Sequence, residues 1–394
     1  MISKDVWRGN VRRMYIWSAL VRMHFFAGVL VPFFTDWGGL TLSQLFLLQA
    51  WYFLCIFLLE VPTGAVADRW GRKASLICAN ACLLTATAIY STGKGLPRYL
   101  LAEIFWAASG ALISGADEAM IYDSLKAADD ESRSKKTLSR LASCEIAAIA
   151  FAAPIGSLIA VRWGLNAPML AMLVPSSIGM LVCLSLKEPP TGEEDAKPGY
   201  REVLTRGVRY FASHKPLRAL AFDSVTIWML SFMTIWLFQP RLRELGVGIG
   251  VYGFIAAAMT LSQIAIMSGI ERIEIFFGGA RRYLIWSAVI PGLAFLLLPF
   301  ATNPWAACAL FIAIPAFGLS RSVLISNYMN NHISSAKRAT VLSTVGMGRQ
   351  LMGIIVLPTV GLLTKLSLDW TFAALGAAIL ACAWVSSVEE AHLS

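Results

Sequence analysis

The chain has 394 residues, 57% of them apolar and only 14% charged, with a mean hydropathy of +0.65. A soluble domain carries about 25% charged residues, so water is the wrong solvent for this one. The net charge of +9 is dispersed over short loops between apolar runs, which fits a membrane surface and speaks against a nucleic-acid partner.

Apolar runs long enough to cross about 30 Å of hydrocarbon as helices recur from end to end, and none alternates as a membrane β-barrel would. In chain order they cover roughly residues 14–34, 41–63, 74–92, 97–122, 138–160, 165–186, 217–240, 247–270, 282–300, 304–328, 339–363 and 368–387. Met1–Arg13 is short and basic, but the run behind it reaches Phe34 without a small-residue cleavage site, so it is expected to be a retained first span. With both termini cytoplasmic, 24 of the 33 Lys and Arg residues fall inside, six outside and three (Arg22, Arg321, Arg349) within spans, the asymmetry of an inner or plasma-membrane protein. The seven cysteines lie in apolar runs with no C-x-x-C pair, and the four histidines fall in separate segments, so no metal site and no cofactor are expected.

The longest polar segment, Lys187–Pro216, opens with EPPTGEEDAKPG, which can neither span nor pack. It divides the chain into residues 1–190, a linker over 191–216, and residues 217–394. Tyr200, Leu204, Val208 and Phe211 share one helical face opposite Arg206 and Arg209, as in an interfacial helix, although a solvated connector has the same composition. A shift of 204 residues pairs Leu138 and Ser139 with Leu342 and Ser343, Pro154 with Pro358, Asp117 with Arg321, and Glu145 with Arg349. A six-plus-six duplication follows. The expected fold is therefore an all-α membrane protein of twelve transmembrane helices in two pseudo-symmetric six-helix bundles.

After the second run the sequence reads EVPTGAVADRWGRKASL, Glu60 to Leu76. Gly64 and Gly71 permit close approach and a tight turn, and Asp68 offers a carboxylate to exposed amides at a neighbouring helix start. Arg69, Arg72 and Lys73 also suit simple anchoring at the inner surface. The stretch GAVADRWGRK resembles the signature loop of the major facilitator superfamily, which lies between the second and third helices of those proteins. The resemblance implies that Asp68 docks on the start of the eleventh helix and that Arg72 pairs with an acid at the inner end of the fourth, here Asp123. SGADEAMIYDSLK (Ser114–Lys126) and KRATVLS (Lys337–Ser343) are similar to a subgroup often regarded as exporters. Drug antiporters of the family usually have an arginine in the outer part of helix four and a Gly-Pro-rich stretch in helix five. Here Glu103 and AAPIGS (Ala152–Ser157) stand instead, and the second copy of the loop, IERIEIFFGGARR, is degraded.

A charge near the membrane centre costs about 2.5–3.5 kcal/mol, so intramembrane charges are the leading site candidates. Asp117, Glu145, Asp223, Arg321 and Arg349 fall in the inner half of their spans, with Arg22 and His24 nearer the middle. By the family resemblance helices one, four, seven and ten line a cavity, which would let Asp117 and Arg321 act as a gate latch. Glu60 and Arg349 are expected to tie helices two and eleven together. Asp223 leads as a proton carrier because desolvation favours the neutral carboxyl, ahead of Asp117, Glu118 and His24. Trp228, Trp236 and Phe238 are candidates to line a pocket for a bulky organic molecule.

No G-x-S-x-G, H-E-x-x-H or G-x-x-x-x-G-K-[ST] occurs, which argues against an enzyme and an ATP-driven pump. The expected protein is a monomeric secondary transporter of a small organic substrate. Export is preferred over uptake, and protons or another ion are the coupling partners. A channel or receptor is the remaining alternative.

Overall fold

The computed structural model describes residues 4–190, 214–333 and 338–386, and among these every regular element is helical. Among the described residues eleven helices are long and apolar enough to cross a membrane, and the shorter apolar helix Pro304–Gly318 continues into Arg321–Asn331 to bring the number of spans to twelve. The possible interfacial helix at Tyr200–Phe211 lies outside the described residues.

Span 1 consists of α1 (Lys4–Val21), a 3₁₀ turn (Phe25–Val29) and a π turn (Phe33–Trp37). Spans 2 and 3 are α2 (Leu42–Trp70) and α3 (Arg72–Thr92), and span 4 is α4 (Leu96–Ile113) followed by α5 (Ala116–Ala127). Spans 5 and 6 are α6 (Ser134–Trp163) and α7 (Ala167–Ser185). Span 7 is α8 (Lys215–Phe232) plus α9 (Thr234–Glu244), and span 8 is α10 (Ile249–Ser268), with the short α11 (Ile270–Phe277) after it. Span 9 is α12 (Ala280–Leu297), span 10 is α13 (Pro304–Gly318) plus α14 (Arg321–Asn331), and spans 11 and 12 are α15 (Arg338–Leu363) and α16 (Leu368–Val385).

The residues cluster into two compact units. One contains Met1–Thr41, Trp51–Lys197 and Ile249–Phe254, the other Leu42–Ala50, Pro198–Gly248 and Ile255–Ser394. The first has a core of Met14, Trp17, Leu76, Met120, Leu141 and Cys183. The second is built on Leu217, Leu220, Tyr283, Ile325, Met329 and Val341.

The first span starts ten residues earlier than hydropathy suggests. Lys4 meets Asp129 at 2.6 Å and Arg8 meets Asp130 at 2.9 Å. Asn10 donates to Ser124 Oγ at 3.1 Å and to the Lys187 carbonyl at 2.7 Å. These polar contacts, with Trp7 and Asn10 buried among them, set the basic segment against the end of α5.

Candidate functional site

Among the described residues, the first, fourth, seventh and tenth spans are each interrupted along their length. The interruptions fall at Arg22–His24, Ser114–Gly115, Met233 and Leu319–Ser320. No proline stands at these positions, the nearest being Pro315, four residues before Leu319, and Pro62, Pro154 and Pro358 lie inside unbroken helices. Broken backbone inside a membrane is tolerated only where protein or a water-filled cavity satisfies the freed groups, and transporter substrate sites are built on such breaks.

In the first unit those freed groups can be traced. Gly115 takes the left-handed conformation, φ +77°, and ends α4; Ser75 Oγ then donates to the Leu112 carbonyl at 2.8 Å. At the break in span 1, Ser157 Oγ donates to the Gly28 carbonyl at 3.0 Å. The small residues of AAPIGS let this happen, for a side chain on Gly156 would run into the Phe25 backbone. The segment that departs from the drug-antiporter pattern is thus the bed on which the unwound part of span 1 lies.

Charges gather at these breaks. Glu145 of α6 accepts from Ser18 Oγ at 2.6 Å and lies 3.7 Å from Arg22. His24 sits in the break with its ring 5.6 Å from Trp106 and 5.8 Å from Phe26. Asp117 lies in the first turn of α5, is 9% exposed, and accepts from its own helix at the Glu118 amide, while Glu118 itself is exposed. No cation pairs with Asp117 among the described residues.

In the second unit Arg321, first residue of α14, pairs with Asp223 of α8, and both are buried. The structure therefore joins two residues expected to have separate tasks, latch and proton carrier, and Arg321 finds its acid within its own unit. Arg349 lies over the Trp228 ring at 5.3 Å and 3.4 Å from Ser224 Oγ. Trp236 and Phe238 are buried in the unit, and Glu60 is half-buried on α2.

In the loop of the motif, Gly71 has φ +92° and separates α2 from α3. Arg72 is buried 3.8 Å from Asp123, and Arg69 is exposed. The side chains of Gly64 and Asp68 are outside the described residues. Sequence reasoning missed Glu188, whose carboxylate accepts from the Arg72 and Lys73 amides at 2.7 and 2.8 Å and so caps α3. A Cβ on Gly71 would stand 2.6 Å from that carboxylate, so the glycine is required twice over. Arg241 was likewise passed over as a loop charge. It reaches the Leu298 and Pro299 carbonyls at 3.1 Å and Asp369 at 3.3 Å, tying spans 7, 9 and 12 at one end. No group of His, Cys, Asp and Glu among the described residues could hold a metal.

Comparison with curated proteins by sequence gives no match. In structure, the chain is similar to a variant of the nucleoside transporter NupG, with a TM-score of 0.82 at 14% identity, covering 98% of this chain and 100% of that one. It is also similar to a POT family transporter in complex with a thioalcohol-conjugated peptide (TM-score 0.75, 12% identity, 96% and 95% covered). A D-xylose–proton symporter aligns with a TM-score of 0.74 at 13% identity, with 96% of this chain and 98% of that one covered. The sequence description of the Major Facilitator Superfamily matches residues 15–273, and the chain belongs to that family of integral membrane transporters.

Proposed function

We propose that this protein is a secondary carrier that exports a small organic solute by alternating access between bundles 1–190 and 217–394, coupled to protons, with Asp117 as the proton-binding group. The observation that carries the reading is the coincidence of the helix breaks in spans 1, 4 and 10 with the intramembrane charges Arg22, Asp117 and Arg321. Breaks and buried charges are each costly in lipid, and both become tolerable along one solvated path. Asp223 already has Arg321, whereas Asp117 has no paired cation among the described residues and gains most from taking up a proton. The motif loop, with Arg72 beside Asp123, is assigned the role of holding the inner side closed in one state.

Export rests on the likeness of Ser114–Lys126 and Lys337–Ser343 to exporter sequences. Uptake is the second reading, favoured by the alignment with a D-xylose–proton symporter. The test is flux in inverted and right-side-out vesicles, with nucleosides, pentoses, dipeptides and amphiphilic organic compounds, with and without a pH gradient. Saturable, gradient-dependent flux is expected, with its sign fixing direction. Asp117→Asn is expected to keep substrate exchange and lose gradient-driven accumulation. Unsaturable flux overturns the carrier, and gradient dependence unchanged in Asp117→Asn overturns the role of Asp117.

A further inference from the structure

The second unit holds a cavity of about 380 Å³ bounded by α12 and α16, within the size range of small-ligand sites. Its origin is a change in helix spacing. At Gly292 and Gly376 the helices touch backbone to backbone, since a Cβ on Gly376 would lie 2.6 Å from the Gly292 carbonyl oxygen. Nearer the start of α12 and the end of α16 they leave room, and Leu284 and Ala288 share an apolar wall with Leu380 and Ala383.

The lining also includes the Asp223–Arg321 pair, Arg281 and Trp384. Arg321 is 1% exposed and gives one nitrogen, Nη2, to Asp223, while its Nε and Nη1 have no hydrogen-bond partner among the described residues. An unmet buried donor costs about 1–3 kcal/mol, so the site is short of an acceptor. Two arginines against one aspartate leave a charge matching a monoanion. The way in is apolar: Ile285 and Trp384, which line the cavity, are 47% and 88% exposed on helices that meet lipid.

We propose that this cavity binds the monoanionic head of a membrane amphiphile, a phosphodiester or a carboxylate, whose oxygens accept from Arg321 and Arg281 while its acyl chain lies along α12 and α16. The site is separate from the proton-binding role given to Asp117 and stands whether or not that role does.

The test is native mass spectrometry of the full-length protein, titrated separately with palmitoyl-oleoyl phosphatidylglycerol, the phosphatidylcholine of the same chains, and oleate. Phosphatidylglycerol, oleate or both are expected to bind about tenfold more tightly than phosphatidylcholine, charge-assisted bonds being the stronger kind. Binding of one and not the other identifies phosphate or carboxylate as the preferred head. Arg281→Gln, at an exposed position, and Ala383→Phe, which fills the cavity, are each expected to lower that binding about fivefold or more. Ala383→Leu replaces Ala383→Phe if the larger side chain prevents folding. Equal binding of all three probes, or anionic binding unchanged by Arg281→Gln, overturns the proposal. So does a loss in Arg281→Gln with none in the folded cavity-filling variant, which would place the anion on the surface.

Discussion

Asp117 and Arg321 occupy matching places in the two units, each in the first turn of the second helix of an interrupted span, and they carry opposite charge. A helix start is the positive end of its dipole. Asp117 is favoured there, accepts a hydrogen bond from the Glu118 amide, and needs no cation among the described residues. Arg321 meets the dipole with the wrong sign, and the second unit supplies Asp223 from a different span. Inverting one charge in a duplicated frame therefore converts a carboxylate held by its own helix into a cation that depends on a distant partner. The first unit keeps a carboxylate with no paired cation among the described residues, and the second keeps a neutral pair.

The largest expected effect breaks that pair. Asp223→Asn leaves a buried, uncompensated guanidinium and is expected to lower stability by about 3–5 kcal/mol, read from denaturation in detergent. Asp117→Asn removes a dipole-supported carboxylate and is expected to cost no more than about 1 kcal/mol. Replacing both members of the pair, Asp223→Leu with Arg321→Met, is expected to restore most of the loss. Equal cost for the two aspartate variants would remove the distinction drawn between the units.

The breaks differ as sharply as the charges. Gly115 takes φ +77°, whereas Leu319 and Ser320 are not among the positive-φ residues. A Cβ at 115 would meet nothing within 4 Å, so Gly115→Ala isolates the backbone term, about 1–2 kcal/mol in thermal unfolding. Ser75→Ala, which orphans the Leu112 carbonyl at the same break, is expected to cost about 1 kcal/mol.

The number and order of spans were legible because a helix that must satisfy its own backbone in lipid leaves a long apolar run. The motif loop was legible because Gly71 and the charges around it are consecutive. The interruptions were not. Gly115 alone among them carries a local signal, while Met233 and Leu319 sit in ordinary apolar sequence and the prolines that should mark breaks lie in continuous helices. The Asp223–Arg321 pair spans 98 residues, and no periodicity within one helix can register a partner on another. Glu188 was hidden by its setting, since it opens a segment whose composition reads as linker.

The smallest effect concerns an exposed pair in the first unit and marks the limit of the contrast with Asp223–Arg321. Lys4 donates to Asp129 in the loop after α5 and holds that carboxyl below its ordinary value of 3.8. A depressed carboxyl contributes above its ordinary value and loses that contribution as pH falls through the lowered one, so the tie should persist from neutral pH down past 3.8 and fail as pH falls through the lowered value. Carbon-13 titration of the Asp129 carboxyl checks this: the midpoint should lie below 3.8 in the unmodified protein and return to it in Lys4→Ala. Solvent screens such a pair, so Lys4→Ala should leave global unfolding unchanged while Asp223→Asn does not. A shift in the unfolding midpoint as large as that of Asp223→Asn would mean that burial does not separate the two kinds of ion pair in this protein.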